Sequence, residues 1–388
     1  MKKRWQTKTL GEVAEVIAGQ SPEGSFYNTS GDGLPFYQGK KEFGEKGIGA
    51  PTTWTSQITK VALEGDVLMS VRAPVGPVNF ATQKSCIGRG LAAIRNGKDL
   101  DRNFLFYFLL SKQEEINGTE GAVFASINKN DIKSIKIVVP PTSEQQRIVG
   151  ILDETFDGIA TAKTNAEMNL QNARALFESH LNSVFTQSGE WWPNFRLGDM
   201  VERLTNGYVG PTRNIYCENG VPYLLARHVK KNRLTFDGKT IISSAFNAKN
   251  RKSILKAGDV LLVQSGHIGH SAVVPPEHAG HNCHAMIVIS PIPGKLVGMF
   301  LSRYFESPRM QLYFESIRTG STIKHLNCGD VREIKVPVPS RIEQNRVVCE
   351  LEHLSQETQR LATLYEHKLD ALEVLKKSLL YQAFGGQL

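Results

Sequence analysis

Six side chains able to ligate a metal or carry a proton crowd into 18 residues: His267, His270, His278, His281, Cys283 and His284. A zinc site takes two closely spaced ligand pairs, and His267/His270 with Cys283/His284 can be drawn that way. The spacing is uneven, however, and Pro275 and Pro276 interrupt it, so it matches no zinc finger and no metal is expected. Neutral imidazoles serve equally well as contacts to bases or phosphates. A second class of candidates sits in glycine-punctuated loops. In the first half these are Gln38, Lys40 and Lys41, then Ser70 and Arg72, then Lys84 and Arg89. In the second half they are Arg213, then Arg227, His228, Lys230, Lys231 and Arg233, then Gln264, Ser265 and His267, then Lys324 beside His325. Arg can bond a guanine edge through two parallel N–H donors, and Gln can do the same for adenine. Lysines in such loops suit phosphates better than bases. The competing reading of any one of them is a solvated surface charge, so the sets argue more strongly than their members.

Catalytic motifs are missing. No G-x-G-x-x-G follows a strand, so no dinucleotide or adenosylmethionine cradle is expected. Gly238-Lys239-Thr240 resembles the tail of a P-loop, but Arg233 stands where the earlier glycine is required. No aromatic follows Pro140-Pro141 or Pro275-Pro276, as an amino-methyltransferase loop would need, and no G-x-S-x-G nucleophile elbow occurs. The chain reads as a binder rather than a catalyst, with no catalytic residue and no cofactor of its own.

The elements that must position these loops are announced by a repeat. Trp5-Gln6-Thr7-Lys8-Thr9-Leu10-Gly11-Glu12-Val13 returns as Trp192-Pro193-Asn194-Phe195-Arg196-Leu197-Gly198-Asp199-Met200. Gly65-Asp66-Val67-Leu68 returns at Gly258, and Glu144-Gln145-Gln146-Arg147-Ile148-Val149 returns as Glu343-Gln344-Asn345-Arg346-Val347-Val348. The offset drifts from 187 to 199 residues along the chain, so insertions fall in loops while the framework holds. A period this long marks a duplicated domain rather than a solenoid. Apolar runs such as Val67–Val71 and Val260–Val263 predict small β-rich sheets, and 103–110 and 299–305 predict short helices. Residues 121–128 and 320–327 align and lead into the strand before each long helix.

Each half ends in a helix with a heptad seam. Leu152, Phe156, Ile159, Ala166, Leu170, Ala173, Phe177, Leu181 and Val184 alternate by four and three, interrupted by Lys163. Val347, Leu351, Leu354, Leu361, Tyr365, Leu369, Leu372, Leu379 and Ala383 do the same. Ser143 with Gln146, and Ser340 with Glu343, have capping-box spacing, and Gly189 and Gly385-Gly386 supply the stops. Two such helices can zip antiparallel into a rod of roughly 60 Å between two binding modules. The alternative is two surface helices, each packed on its own domain. The expected fold is α/β (α+β): globular domains at 1–141 and 189–340, a central helix at 142–188 and a C-terminal helix at 341–388.

Net charge is +8, unevenly spread. Residues 1–141 carry 18 basic and 14 acidic side chains and 187–340 carry 19 and 11, whereas 142–186 carry 3 and 6 and 341–388 carry 6 and 7. Basic modules favour a polyanion, and mildly acidic helices suit protein contacts. No apolar run approaches the ~20 residues of a membrane span. No signal peptide follows Met1-Lys2-Lys3-Arg4, and five cysteines without CxxC spacing predict a reduced, cytoplasmic protein.

The ordered, repeated landmarks resemble the specificity subunit of type I restriction–modification systems. The stretches that carry the resemblance are 141–148 (Pro141 to Ile148), 66–76 (Asp66 to Gly76) and 31–40 (Gly31 to Lys40), and the match covers nearly the whole chain. The second repeat departs where Asn345 replaces the second Gln, and where Ser265-Gly266-His267 stands in place of Arg72-Ala73-Pro74. The resemblance implies two target-recognition domains on an antiparallel coiled coil, each reading a short half-site of double-stranded DNA through the major groove. It further implies that two methyltransferase subunits dock on the helices, with Gln145, Gln146, Arg147, Gln344, Asn345 and Arg346 at the helix starts as partner contacts. A translocase–nuclease restriction subunit would join for cleavage. Rival readings are a free-standing DNA-binding regulator or scaffold, and an enzyme whose motif is not visible in the sequence.

Overall fold

The computed structural model describes residues 5–116, 126–188, 191–318 and 325–388. Lys324 and most of the aligned segments 121–128 and 320–327 lie outside the described residues. The chain folds as two compact units, residues 1–167 with 367–388, and residues 168–366. This division differs from the four expected segments: each unit takes part of both long helices, because seam residues of both enter its core. Ile148, Leu152, Leu380 and Ala383 belong to the first core, and Leu181, Phe185, Val347 and Leu351 to the second.

In the first unit a four-stranded antiparallel sheet runs in the order Ala14–Ala18, Leu91–Asn96, Val67–Ser70, Val78–Phe80. Val67, Met69, Ala92 and Ile94 point into a core with the helix Arg102–Ser111. Leu68, Leu91 and Ala93 point the other way, onto Tyr37, Ile48 and Ile87. A sheet covered on both faces needs apolar residues at every position, which is why these strands read as unbroken apolar runs. The covering helix is apolar nearly all round, and Asp101 caps it by accepting from the amides of Asn103 and Phe104.

The second unit repeats the plan with different residues. Its sheet order is Val201–Asn206, Met286–Pro291, Val260–Val263, Ser271–Val273. Val260, Leu262, Ile287 and Ile289 face the helix Gly298–Glu306, while Leu261, Val263, Met286 and Val288 face Leu224 and Val229. Each unit also has a parallel strand pairing, Leu34–Tyr37 on Ser85–Ile87 and Tyr216–Leu224 on Asn282–Cys283. Each has an antiparallel ribbon before its long helix, Gln6–Thr9 with Lys136–Val139 and Asn194–Arg196 with Lys335–Pro337.

The repeated Gly-Asp-Val-Leu is architectural. Gly65 and Gly258 sit at φ +87° and +86°, where a side chain would be strained. Asp66 is buried, accepts from the amide of Leu63 at 2.8 Å and takes two bonds from the Arg95 guanidinium. Asp259 accepts likewise from the amide of Lys256 and from Arg203, which reaches it from a different strand.

The heptad seams hold within both units: every expected seam residue is buried or half-buried, and Lys163 is exposed. The helices Thr142–Ser183 and Arg341–Phe384 pair antiparallel. In the first unit Arg147 donates to the Leu388 carbonyl and Lys163 meets Glu373 at 2.9 Å. In the second, Arg174 meets Glu366 and His180 meets Glu350. Ser340 caps the C-terminal helix through the Glu343 amide. Ser143 does not play that part, because the central helix already begins at Thr142, placing Ser143 inside its first turn. Gly386 at φ +73° follows the end of the C-terminal helix.

Candidate nucleic-acid interface

In the first unit four of the seven candidates, Gln38, Ser70, Arg72 and Arg89, lie around the end of strand Val67–Ser70. Ser70 is buried and donates to the Arg72 carbonyl at 3.1 Å, so it shapes the loop rather than reaching out of it. The Val71 amide bonds the Gly90 carbonyl, and Arg72 pairs with Ser126 in an isolated bridge. The segment carrying Arg89 lies against Gln38: a side chain at Gly90 would come within 2.4 Å of the Gln38 carbonyl. Ser21 ties the pieces together, donating to Gln38 Oε1 and accepting from the Arg89 amide. Arg72 and Arg89 line one cleft of about 530 Å³, and neither forms an ion pair among the described residues. Two free guanidiniums and an exposed amide on three adjoining loops form a set of donors and acceptors able to bond base edges. Lys40, Lys41 and Lys84 are exposed but do not line that cleft.

The second unit uses the same scaffold with other chemistry. Ser265 takes the place of Arg72: it bridges to His325, and the Leu326 amide bonds the Gln264 carbonyl as the Ile127 amide bonds that of Val71. Lys230 and Arg233 flank a hairpin whose two turn residues, Lys231 and Asn232, sit at φ 34° and 61°. Two such residues are what a tight two-residue hairpin requires. Lys230, Lys231, Arg233 and His267 line a cleft of about 960 Å³, where Lys231 Nζ lies 3.7 Å from Glu178. Arg213 is exposed but does not line it. Arg227 is exposed and paired with Asp237. His228 corrects the expectation for its stretch: it is 2% exposed, and its Nδ1 accepts from the Leu225 amide at 3.1 Å, so it braces the loop from inside. Burial holds its pKa below the ordinary imidazole value.

The histidine cluster does not converge. His267 stacks on His270, His278 faces His281 with 3.2 Å between their Nδ1 atoms, and His284 bonds the Tyr223 hydroxyl. Cys283 is fully buried, and burial pushes its thiol up to about 12. Among the described residues no group of three such side chains could hold a metal.

The helix starts also sort differently from expectation. Gln145 and Gln344 are fully buried. Gln145 Nε2 donates to the carbonyls of Asp99 and Pro140, and its Oε1 accepts from the Asp101 amide. Gln344 makes the same three bonds, to Lys295, Pro339 and Val297. Both amides are spent inside their own units and cannot serve a partner. Gln146, Arg147, Asn345 and Arg346 are exposed, the two arginines bonding Glu144 and Glu343 one turn back.

The type I restriction modification DNA specificity domain model matches this chain twice, over residues 2–170 and 189–367. The chain belongs to that family. Its two matched domains are the duplicated units seen in the fold. A putative type I restriction enzyme MjaX specificity subunit of Methanocaldococcus jannaschii is 42% identical over 176 residues, a match covering 44% of this chain and 40% of that protein. The MjaIX specificity subunit of the same organism is 23% identical, over 87% of this chain and 83% of its own length. A solved chain from a study of complex assembly and conformational transition of the type I restriction–modification system shares the fold, with TM-score 0.80, 20% identity and coverage of 99% and 98%. As a type I specificity subunit with two target-recognition domains, the chain holds its recognition candidates on two copies of one scaffold. Among the described residues no helix is long and apolar enough to cross a membrane.

Proposed function

We propose that this chain is the non-catalytic subunit that gives a type I restriction–modification complex its DNA sequence, reading an asymmetric bipartite site in the cytoplasm. The observation that carries this is one scaffold used twice with different residues at the equivalent reading position, Arg72 in one unit and Ser265 in the other. Two copies of one frame presenting unlike donors and acceptors suit two unlike half-sites, and Arg72, Arg89 and Gln38 are the base-reading set of the first. The paired helices set the unread spacer. Exposed apolar side chains on them favour protein partners: Val374 and Tyr381 in the first unit, at 66% and 75% exposure, and Leu176, Ile342 and Leu364 in the second. Those partners are two methyltransferase subunits and, for cleavage, restriction subunits.

Co-expression with a type I methyltransferase subunit, followed by mapping of methylated adenines in the host genome, tests the reading. A bipartite, non-palindromic motif with a fixed gap is the expected result. No copurification and no methylation, with DNA binding by the chain alone, would establish the free-standing regulator instead.

A further inference from the structure

The first unit contains a second cleft, of about 920 Å³, which shares Ala18 and Lys129 with the one lined by Arg72 and Arg89. Its cations come from four separate segments: Lys8, Lys60, Arg95 with Lys98, and Lys129 with Lys133. Two of the three acids there are occupied, and the third, Asp99, is exposed and forms no ion pair among the described residues. Glu12 accepts from both the amide and the hydroxyl of Thr9, and Glu15 pairs with Arg95, which Asp66 also holds. Lys60, Lys98, Lys129 and Lys133 are exposed and form no ion pair among the described residues. Lys133 is held in place by its stem, since a side chain at Gly11 would stand 3.1 Å from Lys133 Cβ. The glycine of the first repeated motif therefore leaves room for a lysine to lie across it.

We infer that Lys98, Lys129 and Lys133 form a phosphate track, a site for the DNA backbone running on from the base-reading loops of this unit. The inference rests on the DNA-reading function proposed above. Lysine is a flexible point charge that binds phosphate without demanding its orientation, whereas the neighbouring Arg72 and Arg89 carry the planar donors that select bases. Lysines spread along a wall and supplied by separate loops fit a polyanion better than one small anion, which would need converging donors. A duplex held along this wall is positioned for reading at Arg72 without any contribution of the track to sequence choice.

The test uses the full chain with a pool of random-sequence DNA duplexes and affinity measured against salt. Each phosphate contact adds about 0.9 to the slope of log affinity on log salt. K98Q/K129Q/K133Q, which keeps the aliphatic stems, is expected to lower the slope by about 3 on every sequence, whereas K98R/K129R/K133R retains it. An unchanged slope in the glutamine variant, with the parent chain binding DNA, would overturn the track and leave the specificity reading intact. An arginine variant as impaired as the glutamine one would also overturn it, because charge would not be the cause. Failure of the parent chain to bind any duplex, both alone and together with a type I methyltransferase subunit, would remove the specificity reading first and the track with it.

Discussion

At the residue scale, similar-looking side chains separate by burial. Gln38 in a loop and Gln145 in the first turn of a helix are both glutamines, yet one is exposed beside two free arginines and the other is fully enclosed. Gln145→Ala would leave the Asp101 amide and the Asp99 and Pro140 carbonyls without their partner, and should cost about 1–3 kcal/mol in a urea titration. Gln146→Ala, on the exposed side of the same turn, should cost less than about 0.5 kcal/mol. Arg72→Ala should weaken one half-site by about 1–3 kcal/mol across a library of DNA targets while sparing the other. A uniform loss on all sequences would instead make Arg72 a phosphate contact.

At the element scale, the two long helices are held by their apolar seams more than by the ion pairs that reveal their direction. The Lys163–Glu373 pair is about half exposed on both sides, so Lys163→Ala should change stability by less than about 1 kcal/mol. Leu152→Ala removes a fully buried seam residue and should cost about 2–5 kcal/mol in the same measurement. If the helices set the unread spacer, one heptad inserted within 144–186 should lengthen the gap in the methylated motif. An unchanged gap would show that the spacer is set elsewhere.

At the scale of the whole molecule, titration is asymmetric. Nine of the ten histidines lie in the second unit, and only His367 lies in the first. Burial holds His228, His270, His281 and His284 below the ordinary imidazole value near 6.5. Their unfolded forms therefore bind protons more readily than their folded forms. Stability is fully present above about pH 6.5 and is lost as pH falls through the lower folded values. Hydrogen exchange at pH 7.5 and 5.5, corrected for intrinsic rates, should show protection falling more in residues 168–366 than in the rest. Equal losses would mean that these imidazoles are not buried as described.

The sequence by itself determined the duplication, the short helices, the paired heptad seams and the absence of a metal-finger pattern. All of these are periodicities or spacings, and local geometry and apolar burial act directly on such patterns. The family came from the resemblance carried by 31–40, 66–76 and 141–148, and that resemblance implied two recognition domains. Tertiary structure decided which polar residues face solvent. His228 and Arg227 are neighbours in one basic stretch, but the backbone turn buries one and exposes the other. It also decided that the repeated Gln145 and Gln344 are internal clamps, since each joins its own helix start to a segment more than forty residues away in the chain. The lysines of the basic cleft were invisible for the same reason: Lys98, Lys129 and Lys133 become neighbours only when strand pairing brings separate segments to one wall.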